Sequence, residues 1–148
     1  MDDYFDCEPH FFGNEDCDTI SVPSSKKEIK NNSYEMSKNI SIELINYCKD
    51  LCTKDKDKVI LAPLVNQLIR SSSSVAANTA EANNYYLSSK FRANKLNIAC
   101  SEVKETLYWI DLLYKTNYLP EEKYVHFKKE YVFILNVLYK GLKSYKEQ

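Results

Sequence analysis

The chain has 148 residues, 44% hydrophobic and 28% charged, with two glycines, four prolines and a formal net charge of −1. That length holds one domain with a substantial core, and so little glycine and proline argues against an all-β fold of tight turns. No apolar run approaches the ~18 residues that span a membrane. The acidic start MDDYFDCEPHFF lacks the basic region of a secretory leader. Five cysteines without a disulfide framework fit reduced thiols in a cytoplasm.

The near-neutral total conceals an imbalance. Residues 1–35 hold nine acids (Asp2, Asp3, Asp6, Glu8, Glu15, Asp16, Asp18, Glu28, Glu35) against three lysines, a net −6. Residues 36–148 hold 17 basic and 12 acidic side chains, a net +5. An acidic head on a basic body suits a polyanion-binding surface that the head could mask, although such imbalance also serves solubility.

Residues 1–34 show no sustained period and read as an irregular acidic extension; residues 35–148 read as one four-helix bundle. The first helix is predicted from Tyr34, with Met36, Ile40, Leu44, Tyr47 and Leu51 at helical spacing, ending in TKDKDK. The second carries Leu61, Leu64, Leu68, Ser72, Val75 and Thr79, with Pro63 near its start, where a missing N–H is tolerated. The run RSSSS therefore falls inside a continuing helical period. Serine is a poor helix former in isolation, so four together suit a helix whose packing supplies its stability.

The second helix is expected to break at Ala82–Leu87. The third spans about Ser88 to Thr116. One of its stripes is Leu96, Cys100, Val103, Leu107, Ile110 and Tyr114. Another is Phe91, Asn94, Ile98, Ser101, Glu105, Tyr108 and Leu112. Two stripes imply two buried sides, which favours an oligomer. Pro120, Glu121 and Glu122 open a fourth helix through Tyr124, Phe127, Tyr131, Ile134, Leu138, Leu142 and Tyr145. Four long helices on short connections give an all-α, antiparallel up-down-up-down bundle.

Catalytic chemistry is sparse. No HExxH, phosphate loop or paired CxxC occurs, and the chain has two histidines, His10 and His126. Cys7, His10 and Cys17 lack zinc spacing and a fourth ligand. Cys48 and Cys52 read as small buried hydrophobes rather than a redox pair. No catalytic, metal or cofactor residue is assigned. Arg70, Ser74, Asn78 and Glu81 share one helical face, and antiparallel packing brings Arg70 toward Glu105, with Ser101 one turn away. This set reads as a register-fixing polar network inside a seam, whose disruption would cost a few kcal/mol, rather than as a carboxylate site on Glu81 and Glu105. Candidate nucleic-acid contacts are Lys90, Arg92, Lys95 and Lys104 on the third helix and Lys123, Lys128, Lys129, Lys140 and Lys143 on the fourth. Tyr85 and Tyr86 between helices two and three could stack on bases.

The segment QLIRSSSSVAANTAEA, Gln67 to Ala82, resembles the signature of the 23S rRNA intervening-sequence proteins, a bacterial four-helix-bundle family. Gln67, Arg70, Ser74, Asn78, Ala80 and Glu81 match; Val75 is conservative, Thr79 replaces isoleucine and Ala82 replaces a closing glycine. In Lys90 to Leu119, Phe91, Leu96, Ile98, Ala99, Ser101 and Glu105 match, with Cys100 where glycine is usual. The resemblance covers about residues 36–146 and leaves the acidic extension outside. It implies an up-down bundle that assembles as a homopentameric ring without enzymatic activity. It also implies nucleic-acid-associated work, since the family includes the accessory variability determinant of diversity-generating retroelements, which binds nucleic acid and a reverse transcriptase. The expected function is thus a bacterial, non-enzymatic oligomer that binds RNA or DNA through a basic face, with a protein partner such as a reverse transcriptase. The alternative is a protein-binding scaffold that uses the acidic arm.

Overall fold

The computed structural model describes residues 26–54, 58–84 and 86–146, without the side chains of residues 26–32, 54 and 146. Nearly all of this is helix: α1 (Lys26–Lys54), α2 (Lys58–Ala82), α3 (Ser89–Lys115) and α4 (Glu121–Lys146). No strand occurs among the described residues. Each helix packs on two others, α1 and α3 each lying against both α2 and α4.

The contacts run in opposite senses along three of the four neighbouring pairs. Ser71 meets Thr106 and Glu81 meets Lys95 between α2 and α3. Asp111 meets Tyr124 and Arg92 meets Tyr145 between α3 and α4. Met36 packs by Phe133, and Tyr47 lies edge-on to Phe127 at 5.9 Å, between α1 and α4. Rising numbers on one helix pair with falling numbers on the next, which is the antiparallel order expected of short connections. The predicted apolar stripes fill the core: Leu44, Leu61, Leu68, Val75, Val103, Ile110, Phe127, Tyr131, Ile134 and Leu138 are all buried.

Two boundaries differ from the sequence expectation. The first helix begins at Lys26, not Tyr34, so residues 26–34 are helical rather than irregular. The hydrophobic period misses these turns because Ile29 is the one apolar residue within 26–33. Ser33, Ser37 and Ser41, four apart, are buried at 2%, 0% and 5% exposure. The Ser37 hydroxyl donates to the Ser33 carbonyl at 2.6 Å. Pro63 lies past the first turn of α2, which opens at Lys58. The carbonyl it leaves without a helical partner is that of Val59, in an exposed turn that water can reach.

The remaining helix ends follow local chemistry. The Ser88 hydroxyl caps α3 by accepting from the Phe91 N–H at 3.3 Å. At the far end Asn117 adopts φ 63°, a left-handed conformation that asparagine tolerates. Its N–H donates to the Tyr114 carbonyl and that of Tyr118 to Leu113, the paired closure of a Schellman motif. Leu119, 3% exposed, then tucks the turn into the core before Pro120 starts α4.

The serine run sits at mid-bundle. Ser71 and Ser72 are fully buried, while Ser73 is exposed. The Ser41 hydroxyl donates to the Ser72 carbonyl at 2.9 Å. A hydroxyl has one proton, so Ser72 donates to Ser41 Oγ at 2.9 Å, and Tyr131 then donates to Ser72 Oγ at 2.6 Å. This relay ties α1, α2 and α4 together with every hydroxyl proton used. On the adjacent face Thr106 Oγ1 lies 2.9 Å from Ser71 Oγ, which links α3. Burial pushes the Tyr131 hydroxyl up to about 12, against the opposing effect of the neighbouring Ser72 and Ser41 hydroxyls.

Tyr131→Phe is expected to lower unfolding free energy by about 1 kcal/mol in urea titrations, the usual net worth of one hydrogen bond. Ser72→Leu, which adds volume where no room exists, should cost more, about 1–3 kcal/mol.

Candidate nucleic-acid interface

The α2–α3 seam holds the Arg70–Glu105 pair anticipated from sequence. One Arg70 guanidinium nitrogen bonds Glu105 Oε1, and Arg70 Nε donates to Gln67 Oε1 at 3.1 Å. Trp109 Nε1 also donates to Glu105 Oε1, at 3.2 Å. Glu102 lies 3.9 Å from the other Arg70 nitrogen. The pair is not interior: the Arg70 side chain is 54% exposed and that of Glu105 33%. It fixes register at the surface, and the large cost of breaking a buried pair does not apply.

The rest of the anticipated network divides. Asn78 Nδ2 donates to the Ser74 carbonyl at 2.9 Å and to Ser74 Oγ at 3.2 Å, within α2. Glu81 pairs with Lys95 Nζ at 2.7 Å rather than joining Arg70. Ser101 is exposed and donates to its own helix at Asn97. It lies on the outer face beside Glu105, and its hydroxyl is too short to reach back to the seam as the glutamate does.

The candidate cations also divide, because α3 and α4 are antiparallel. The start of α3 and the end of α4 form one pole of the bundle, where the Arg92 guanidinium bonds the Tyr145 hydroxyl and lies 5.1 Å from its ring centre. Residues 89–101 and 131–146 contain Lys90, Arg92, Lys95, Lys140, Lys143 and Lys146 and no aspartate or glutamate. Lys90, Lys140 and Lys143 are exposed, and the loop at this pole presents Tyr86, 99% exposed. Tyr85 lies outside the described residues.

The opposite halves, residues 102–115 and 121–130, carry five cations against six acids. Lys128 lies 3.0 Å from the Tyr124 hydroxyl, and Tyr124 stacks on Tyr114 at 4.0 Å. Lys115, 2.6 Å from Asp111, holds that carboxyl below its ordinary range, with Tyr124 adding to the effect. Lys104 sits 5.9 Å from the Tyr139 ring centre. Lys123 and Lys129 neighbour Glu121, Glu122 and Glu130 in sequence. One continuous basic face is therefore absent among the described residues. The cations form a pole to which α3 and α4 contribute no acid, with Glu81 of α2 paired to Lys95, and a mixed remainder.

The second stripe of α3 is only partly covered within the bundle, with Ile98, Glu105 and Leu112 half-buried. Phe91 and Tyr108 are 41% and 58% exposed, and Asn94 and Ser101 also face outward. A cleft of about 310 Å³ between α1 and α4 is lined by Met36, Ile40, Glu43, His126 and Glu130, with His126 Nε2 2.9 Å from Glu43. No three His, Cys, Asp or Glu side chains among the described residues converge on a metal-sized site. Burial pushes the Cys48 and Cys100 thiols up to about 12, while Cys52 is half-buried. Cys7, His10 and Cys17 lie outside the described residues. No described helix is long and apolar enough to cross a membrane.

The 23S rRNA-intervening sequence protein model matches residues 29–140. The chain belongs to this family. A crystal structure of a protein of unknown function from the S23 ribosomal protein family of Bacteroides thetaiotaomicron is 29% identical to it, with TM-score 0.71, covering 81% of this chain and 99% of that one. No curated protein matches.

Membership in the intervening-sequence family gives its signature residues a physical reading. Gln67, Arg70 and Glu105 are the contact set that sets the α2–α3 register. Ala82 and Cys100, where the family pattern has glycine, are buried at 2% and 5%, so small side chains fill space that glycine would leave.

The hydrogen bond from Arg70, aided by that from Trp109, holds the Glu105 carboxyl below its ordinary value of 4.5. The folded state is then the stronger acid. Its contribution to stability is complete above the ordinary carboxylate range and disappears as pH falls through the lower folded value. Urea titrations should show Glu105→Gln less stable than the parent at pH 7, with the gap closing toward pH 3. Arg70→Ala should lower Tm by a few degrees at most, and by less in high salt.

Proposed function

We propose that the chain is a non-enzymatic homo-oligomer, pentameric as the family resemblance implies, that binds single-stranded RNA or DNA in the cytoplasm through its basic pole. The observation that carries this reading is the segregation of charge: six cations without an acid over residues 89–101 and 131–146, beside the exposed Tyr86. Lysines at that density attract phosphates, and an exposed ring offers a stacking platform that does not discriminate among bases. The chain has only two arginines, Arg70 and Arg92, both engaged within the bundle, which favours sequence-tolerant binding. The partly exposed outer stripe of α3, with Phe91 and Tyr108, supports self-association. An enzyme acting on the same nucleic acid, such as a reverse transcriptase, is the partner this accessory role implies.

Fluorescence anisotropy of a labelled oligo(dT) or oligo(U) across a salt series tests the reading. The triple variant Lys90→Glu, Lys140→Glu, Lys143→Glu should weaken binding and flatten the log–log salt slope by about 2, near 0.7 per lost phosphate contact. The variant Lys123→Glu, Lys129→Glu should bind like the parent. Equal losses in both would remove the pole as the site. Absence of binding by the parent at low salt would favour a protein scaffold instead.

A further inference from the structure

The pole has an uncommon neighbour in the chain itself. Residues 1–25 carry seven acids and no lysine or arginine, a net −7 before histidine. They enter the bundle at Lys26, the first residue of α1. Since Met36 packs by Phe133 and Tyr47 by Phe127 on the antiparallel α4, the start of α1 falls at the level of Lys140 and Lys143. The most acidic part of the chain is therefore tethered at the end of the bundle where α3 and α4 bring six cations and no acid, and where Glu35 and Glu81 are already paired with Lys38 and Lys95.

We propose that the acidic segment 1–25 docks on the basic pole of its own chain and acts there as an internal mimic of a polyanion. The regulatory consequence rests on reading the pole as a nucleic-acid site. Reach is no obstacle. Twenty-five residues span at most about 80–90 Å extended and about 30 Å as a coil, and α3, with 27 residues, is about 40 Å long. Tethering presents the segment to the pole at an effective concentration in the millimolar range, so weak screened contacts hold a large fraction of molecules in the docked state. Aspartate and glutamate among Tyr4, Phe5, Phe11 and Phe12 reproduce the alternation of charge and ring that a single strand offers. A single strand with more phosphates than the segment has carboxylates displaces it, whereas short or sparse anions do not. The pole is thereby restricted to long polyanions.

Two measurements on the full chain separate this inference from the nucleic-acid reading. The first needs no nucleic acid. Zero-length carbodiimide coupling at low salt, read by mass spectrometry on mixed isotope-labelled and unlabelled chains, should join acids of residues 1–18 to Lys90, Lys140 or Lys143 within one chain. These links should fade in high salt. Their absence, or links mainly between differently labelled chains, would overturn the proposal. The second compares oligo(dT) binding by the parent and by a chain whose seven carboxylates in residues 1–25 are amides (Asp2→Asn, Glu8→Gln and the other five likewise). The amide chain should bind about tenfold tighter at low salt, and the two should converge as salt rises. Equal affinities at low salt would refute competition. Intrachain links with no binding by either chain would uphold docking and reject the nucleic-acid reading.

Discussion

Close approach of four helices around a small, hydroxylated centre is the constraint on which this bundle depends. Ser71 and Ser72 on α2 and Ser33, Ser37 and Ser41 on α1 are buried where bundles more often place leucine. Small side chains let backbones approach, but they bring polar atoms into a dry interior, and each needs a partner. The relay from Tyr131 through Ser72 and Ser41 to a backbone carbonyl meets that need with no proton left over. It also specifies which helices meet and at what height, because a one-residue slip would separate all of its members.

Charge is sorted along the bundle by the same geometry. Antiparallel packing of α2 on α3 sets Arg70 by Glu105 and Glu81 by Lys95, so the acids of that seam are committed to cations across it. Antiparallel packing of α3 on α4 brings together their two acid-free halves. Each helix is polarised along its length, which a count over the whole helix hides. The pole exists only because the start of one lies beside the end of the other.

Much of the fold was legible in the sequence. Apolar stripes such as Leu61–Leu68–Val75 and Phe127–Tyr131–Ile134–Leu138 name the core directly. Pro120 and the break after Ala82 place the turns. The first turns of α1 were not legible, since residues 26–33 offer a single apolar side chain, Ile29, and so no hydrophobic period. The Arg70–Glu105 contact could be anticipated from register, but its exposure could not, because that depends on how far each side chain leans outward. Ser101 and Glu81 were grouped with it by helical phase alone, and phase does not say how far a side chain reaches. The division of lysines into a pole and a mixed remainder needed the helix directions as well as the helices. A sequence count that averaged over all of α3 and α4 concealed it.

Burial of Cys48 and Cys100 has a practical side. Thiol reagents attack the thiolate, and both groups are held protonated at neutral pH inside the core. Their modification must wait until the helices around them separate. Each is thus a built-in clock for opening of the bundle, Cys48 on α1 and Cys100 on α3. Comparing how fast the two become alkylated reads whether α1 and α3 leave the core together or one ahead of the other.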